Sequence, residues 1–192
     1  MPITLNGSGT VSGISVGGLP DGIIQSADLA TGTGGKILQV VSTTKTDTAS
    51  FASANTSNFT DISGLSVSIT PSSTSNKILV VATVAAAVGT GSLHVRLARG
   101  STGIAVGDSS SNRQSSTMSR RTQSSIYNLE ITPMSFNFLD SPNTTSATTY
   151  KVQATAGSTY DTTVYVNRSS GDNDYSYGAR VASTITVMEV AA

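Results

Sequence analysis

Eleven consecutive residues, Ile78-Leu79-Val80-Val81-Ala82-Thr83-Val84-Ala85-Ala86-Ala87-Val88, carry no charge at either their odd or their even positions. Successive side chains of a strand face opposite sides of a sheet, so such a run has to be covered on both. The two covers are either both internal, in a sandwich with this strand at its centre, or one internal and one supplied by another subunit. Pattern alone does not separate the two, and Val80, Val84 and Val88 are read as buried core or subunit contacts. The rest of the chain has the same grain, with short Val, Ile, Thr and Tyr runs broken by Gly, Ser, Asn and Pro. Helical signal is confined to residues 25–30, where Ser26 can cap and Asp28 sits in the first turn before Gly32, Gly34 and Gly35 end it.

Ten candidate strands follow: 36–44, 64–70, 76–88, 92–99, 102–106, 124–132, 134–139, 148–156, 162–167 and 181–190. Their number and spacing predict an all-β fold, a jelly-roll-like β-sandwich over residues 36–192, since a βαβ fold would need helical patterns between strands. The polar stretches 107–123 and 167–178 read as long loops.

The core available to this fold is lean. Ile, Leu, Val and Phe make up 43 of 192 residues, close to the composition below which a chain stays unfolded, but the net charge of zero argues against disorder. Only 11% of residues are charged, so a surface of hydroxyls replaces the usual charged one, as expected of a protein covered by other protein. The balanced charge argues against nucleic acid as a partner. No apolar run reaches the length that spans a bilayer, and residues 1–10 lack the pattern of a signal peptide, so the expectation is no membrane and use in the compartment of synthesis. There is no Cys, which removes disulfides, thiolate metal sites and a thiol nucleophile.

Residues 1–35 differ from the remainder. Ile3-Thr4-Leu5 and Val11 to Val16 are strand-like pieces broken by Asn6-Gly7, Gly9 and Gly17-Gly18, too short to be stable alone. The reading is an extended N-terminal docking arm that adds strands to another chain, anchored by Ile3, Leu5, Val11, Ile14 and Val16.

Catalytic material is sparse, and the expectation is a protein that is not an enzyme and carries no cofactor or metal. The single His, His94, sits in Leu93-His94-Val95-Arg96-Leu97 on the side opposite the apolar set, with no nucleophile elbow nearby. Glycoside cleavage needs paired carboxylates, and the two Glu residues, Glu130 and Glu189, both fall in strand patterns. Asp172, Asn173 and Asp174 imitate a calcium loop without its later Glu, and turn chemistry accounts for them equally well. Arg113, Arg120 and Arg121 in the first long loop suit an anionic sugar, a phosphate or a neighbour's carboxylate, or solvation alone. Tyr175 and Tyr177 suit a sugar platform or ordinary packing. The sequon Asn167-Arg168-Ser169 is of the kind that arises by chance in a chain this rich in Ser and Thr.

Three C-terminal stretches, residues 135–153, Val164-Tyr165-Val166-Asn167-Arg168-Ser169 and 183–190, together resemble the terminal module of bacteriophage fibre and capsid-decoration (cement) proteins. Asn6-Gly7-Ser8-Gly9-Thr10 and Gly17-Gly18-Leu19-Pro20-Asp21-Gly22 are similar to the short repeat that precedes that module. The resemblance covers about half the chain and implies a homotrimer of jelly-roll heads, like tumour-necrosis-factor-like and complement-like heads, in a virion assembled in the bacterial cytoplasm. It implies a partner that is the major capsid protein or another virion protein. The short stretch before the head favours capsid decoration over the alternative, a tail-fibre tip that binds host glycan.

Overall fold

In the computed structural model, residues 36–53, 58–122, 129–157 and 163–192 are described. The expected arm anchors Ile3, Leu5, Val11, Ile14 and Val16 and the weak helical signal over 25–30 lie outside them. The chain divides into Met1–Lys36 and Ile37–Ala192, and the fold below is that of the second unit.

Eleven strands build it: β1 Ile37–Lys45, β2 Ala49–Ala52, β3 Thr60–Ile69, β4 Lys77–Ala87, β5 Gly91–Arg99, β6 Thr102–Ile104, β7 Met118–Thr122, β8 Thr132–Asp140, β9 Thr148–Gly157, β10 Thr163–Val166 and β11 Ser183–Val190. No helix occurs among the described residues. One antiparallel sheet has the order β1-β11-β4-β8, and the short β10 and β2 continue from the end of β4. The other runs β3-β9-β5, with β7 and β6 sharing the far edge of β5. Taking β6 with β7 as one interrupted strand, and β2 with β10 as an added ribbon, leaves eight main strands ordered 1-8-3-6 and 2-7-4-5. Every connection but the β5–β6 hairpin crosses between sheets, which is the double Greek key of a jelly roll.

Nine of the ten expected strands have a counterpart here; most of the tenth, over 124–132, lies outside the described residues. Leu129, Glu130 and Ile131 precede β8 without strand pairing, and residues 123–128 lie outside the described set. The expected long loop 107–123 contains β7 instead, and β2 was not expected at all.

The core lies between the sheets and comes from alternate positions: Ile78, Val80, Ala82 and Val84 on β4, Leu93, Val95 and Leu97 on β5, Tyr150, Val152 and Ala154 on β9, Ile185 and Val187 on β11. Val80 and Val84 have no exposed surface and Val88 is 4% exposed, so all three belong to the core of this chain. On β3 the inward residues Ile62 and Leu65 are three apart, because pairing with β9 is irregular between Asp61 and Ser66, where Gly64 takes a φ of 80°.

Three buried polar clusters stiffen this small core. Arg99 on β5 grips Asp140 at the end of β8 with both carboxylate oxygens at 2.8–2.9 Å, and Tyr150 on β9 donates its hydroxyl to the same Asp at 2.6 Å, tying the two sheets together. Glu189 has no exposed surface; Gln39, Asn76, the Ser72 amide and the Ser72 hydroxyl donate to it at 2.5–2.8 Å. Burial would raise its pKa, but these donors outweigh burial and hold it down to about 2. Asn167, fully buried at a φ of 60°, donates to the Lys45 and Asp47 carbonyls and accepts from the Ser183 hydroxyl, joining the β1–β2 turn to β11. The sequon is therefore a structural junction.

Candidate functional surface

Since one face of β4 is core, the other is the question, and the registers answer it row by row. Val40, Met188, Leu79 and Leu139 lie side by side across β1, β11, β4 and β8. The next row is Ser42, Thr186, Val81 and Asn137, and the third is Thr44, Thr184, Thr83 and Ser135. None of these twelve residues is charged; the first charge met along β4 is Lys77, at the end of the face.

The first row is apolar throughout, with its two end residues open to solvent and its two central residues half-buried. Val40 is 56% exposed, Leu139 49%, and Val81 in the second row 40%. Among the hydroxyls, Ser42 bonds Thr186 at 2.8 Å and Thr83 bonds Ser135 at 2.9 Å. Hydroxyls that are already paired are not orphaned when another surface covers them, which removes much of the cost of burying a polar face. With strands about 4.8 Å apart and residues about 3.4 Å apart, the grid covers roughly 400 Å² of uncharged surface.

At the third-row end this face runs into an apolar groove of about 330 Å³ lined by Ala85, Leu129, Ile131, Pro133, Tyr177 and Val181, among others. Tyr177 stacks on Tyr175 with ring centroids 5.0 Å apart and an interplanar angle of 21°, and the pair is 71% and 51% exposed. Tyr175 in turn borders a polar pocket of about 230 Å³ with Asp172, Asn173, Asp174 and Arg180. Asp172 spends its carboxylate on Arg180 at 2.8 Å and Arg168 at 3.5 Å. No cluster of three or more His, Cys, Asp or Glu suited to a metal occurs among the described residues.

The three arginines that are near one another in sequence are separated in the fold. Arg120 on β7 pairs with Glu130, Arg121 is exposed on the same strand, and Arg113 stands at a different site with Arg96, a residue that sequence reading placed only on the outer side of its strand. His94 does lie opposite the apolar set, but it is half-buried rather than wet. A Cβ at Gly157 would come within 2.5 Å of its Nε2, so the glycine leaves room for the ring. Its Nδ1 is buried without a partner, burial lowers its pKa and so favours the neutral ring, and no carboxylate orients it among the described residues.

No family model and no curated protein matches this sequence. Among solved structures, a chain from the crystal structure of the IBDV viral particle is similar at 14% identity and a TM-score of 0.36, over 80% of this chain and 36% of that one. This chain thus spans about a third of the length of that neighbour.

Proposed function

We propose that the chain is a non-enzymatic virion structural protein that acts as a trimer and decorates a capsid. The observation that carries this reading is the uncharged outer face of β1-β11-β4-β8, apolar in its first row and with most of its second- and third-row hydroxyls satisfied within the sheet. Such a face is suited to contact with protein, and neighbouring copies of the same chain present a matching neutral surface. The eight-strand order is that expected of the heads which the C-terminal stretches resemble, and the resemblance supplies both the threefold state and the phage setting.

In this reading residues 1–35 dock by strand addition on capsid protein, and the head projects. Each arm is weak alone, but three tethered together raise one another's effective concentration, and the assembly clamps capsomers against pressure from within. Deleting residues 2–20 is expected to leave a soluble trimer that no longer binds particles; undiminished binding contradicts the arm assignment. The second reading, a tail-fibre tip, is favoured by the exposed Tyr175–Tyr177 stack beside a polar pocket. Electron microscopy of particles separates the two, by many copies over the head or few at the tail.

A further inference from the structure

A further pocket, with two arginines in its lining, lies on neither the uncharged face nor the tyrosine loop. It measures about 460 Å³, and Phe59, Arg96, Ser111, Asn112, Arg113, Gln114 and Ser115 line it. Two guanidinium groups and no carboxylate are in that set.

Arg96 is fixed before any ligand arrives. Its guanidinium lies 4.2 Å from the centre of the Phe59 ring, and its Nε donates to Gln153 Oε1 at 2.9 Å. The strand beside it makes space: a Cβ on Gly103 would come within 2.6 Å of Arg96 Cδ. The nearby acid, Asp61, is already engaged, taking Lys151 Nζ and Gln153 Nε2 at 2.6 Å each. Gln153 thus receives from Arg96 on its oxygen and gives to Asp61 on its nitrogen, and among the described residues neither Nη of Arg96, stacked over Phe59, forms a hydrogen bond.

Arg113 is held by its own turn. Its amide donates to the Ser110 carbonyl at 3.0 Å, its Nη1 donates to the Ser110 hydroxyl at 2.9 Å, and Ser111 between them takes a φ of 52°. The loop is closed at its base by Gly107 N to Ser116 O and by the Ser115 hydroxyl to Asp108 O, both 3.2 Å. Each arginine therefore uses one side-chain N–H of the five it owns, and neither has a carboxylate within ion-pair distance among the described residues.

We propose that this pocket binds a carboxylate-bearing sugar, a uronate-type residue of a surface polysaccharide. A guanidinium fork matches a carboxylate in two parallel hydrogen bonds, and preorganised forks lose less entropy on engaging it. The volume suits a sugar unit and exceeds what a bare inorganic anion fills, and the remaining lining of Asn112, Gln114, Ser111 and Ser115 offers the amides and hydroxyls that pair with sugar hydroxyls. The proposal does not depend on whether the molecule sits on a head or a tail.

The test is calorimetric titration of the full chain with galacturonate di- and trisaccharides, the neutral galactose counterparts, galactose 6-phosphate, and acetate alone. The expected result is millimolar or tighter binding of the uronate that weakens with salt and drops about tenfold or more in Arg113→Gln, an exposed turn position whose thermal melt should match that of the unmodified chain. Arg96→Lys keeps the charge but loses the fork and should weaken binding as well; Arg121→Gln, exposed on another strand, should not. Binding of the neutral sugar equal to that of the uronate, preference for the phosphate, binding of acetate as tight as that of the uronate, no binding of any probe, or unchanged uronate affinity in Arg113→Gln would each overturn the proposal.

Discussion

Glu189 shows what single residues do in a core this lean. A carboxylate with no exposed surface is normally costly, yet four donors from three residues make it a tie between β11, β1 and the turn before β4. Its pKa in the fold, about 2, lies below its ordinary value of 4.5, so its contribution is complete above pH 4.5 and fades as pH falls from there toward 2. Acid titration of the thermal midpoint should show that loss in the unmodified chain, and Glu189→Gln should flatten it while lowering stability by about 2 kcal/mol at neutral pH, because an amide nitrogen would face donors. Asn167 is the other single-residue junction. Asn167→Ala removes two donated bonds and one accepted bond at a buried left-handed position, and denaturant unfolding should register a loss of about 3 kcal/mol. Neither role was legible in the sequence: Glu189 read as one more residue of a strand and Asn167 as a chance sequon, since the partners of each lie more than a hundred residues away in most cases.

Along β4, alternate positions have opposite fates. Val80 is fully buried and Val81 is 40% exposed, so Val80→Ala should cost about 2 kcal/mol of stability, whereas Val81→Lys should leave the head folded and abolish self-association. Chemical unfolding reads the first and sedimentation velocity the second; a fully associated Val81→Lys would remove the outer face from the interface. Here the sequence was informative, because eleven uncharged residues demanded two covers, though it did not say which residues faced which. The strand pairings settle that by parity for Val80 and Val84, which face inward, and Val88, just past the end of β4, is buried too. The strands that escaped notice have physical excuses. The β7 sequence Met118-Ser-Arg-Arg-Thr sits at a sheet edge where both of its faces stay largely wet, so it shows no apolar alternation, and the four residues of β2 are mostly Ala and Ser. Likewise, three arginines close in sequence looked like a cluster, while the pairing of β7 with β5 sends Arg120 toward Glu130 and leaves Arg113 to the pocket with Arg96.

For the whole molecule, the jelly-roll order follows from counting strands and crossings, and the neutral outer face follows from a composition in which hydroxyls replace charge. A chain that leaves Val40, Val81 and Leu139 open to water on one flat face is, in this account, one part of a larger object, and its head should be less stable as its concentration falls. The measurement closest to that claim is the mass of the purified, folded chain in solution by multi-angle light scattering across micromolar concentrations. The account predicts a particle of three times the 19.5 kDa chain mass that Val81→Lys converts to single chains; a folded 19.5 kDa particle throughout that range would contradict it.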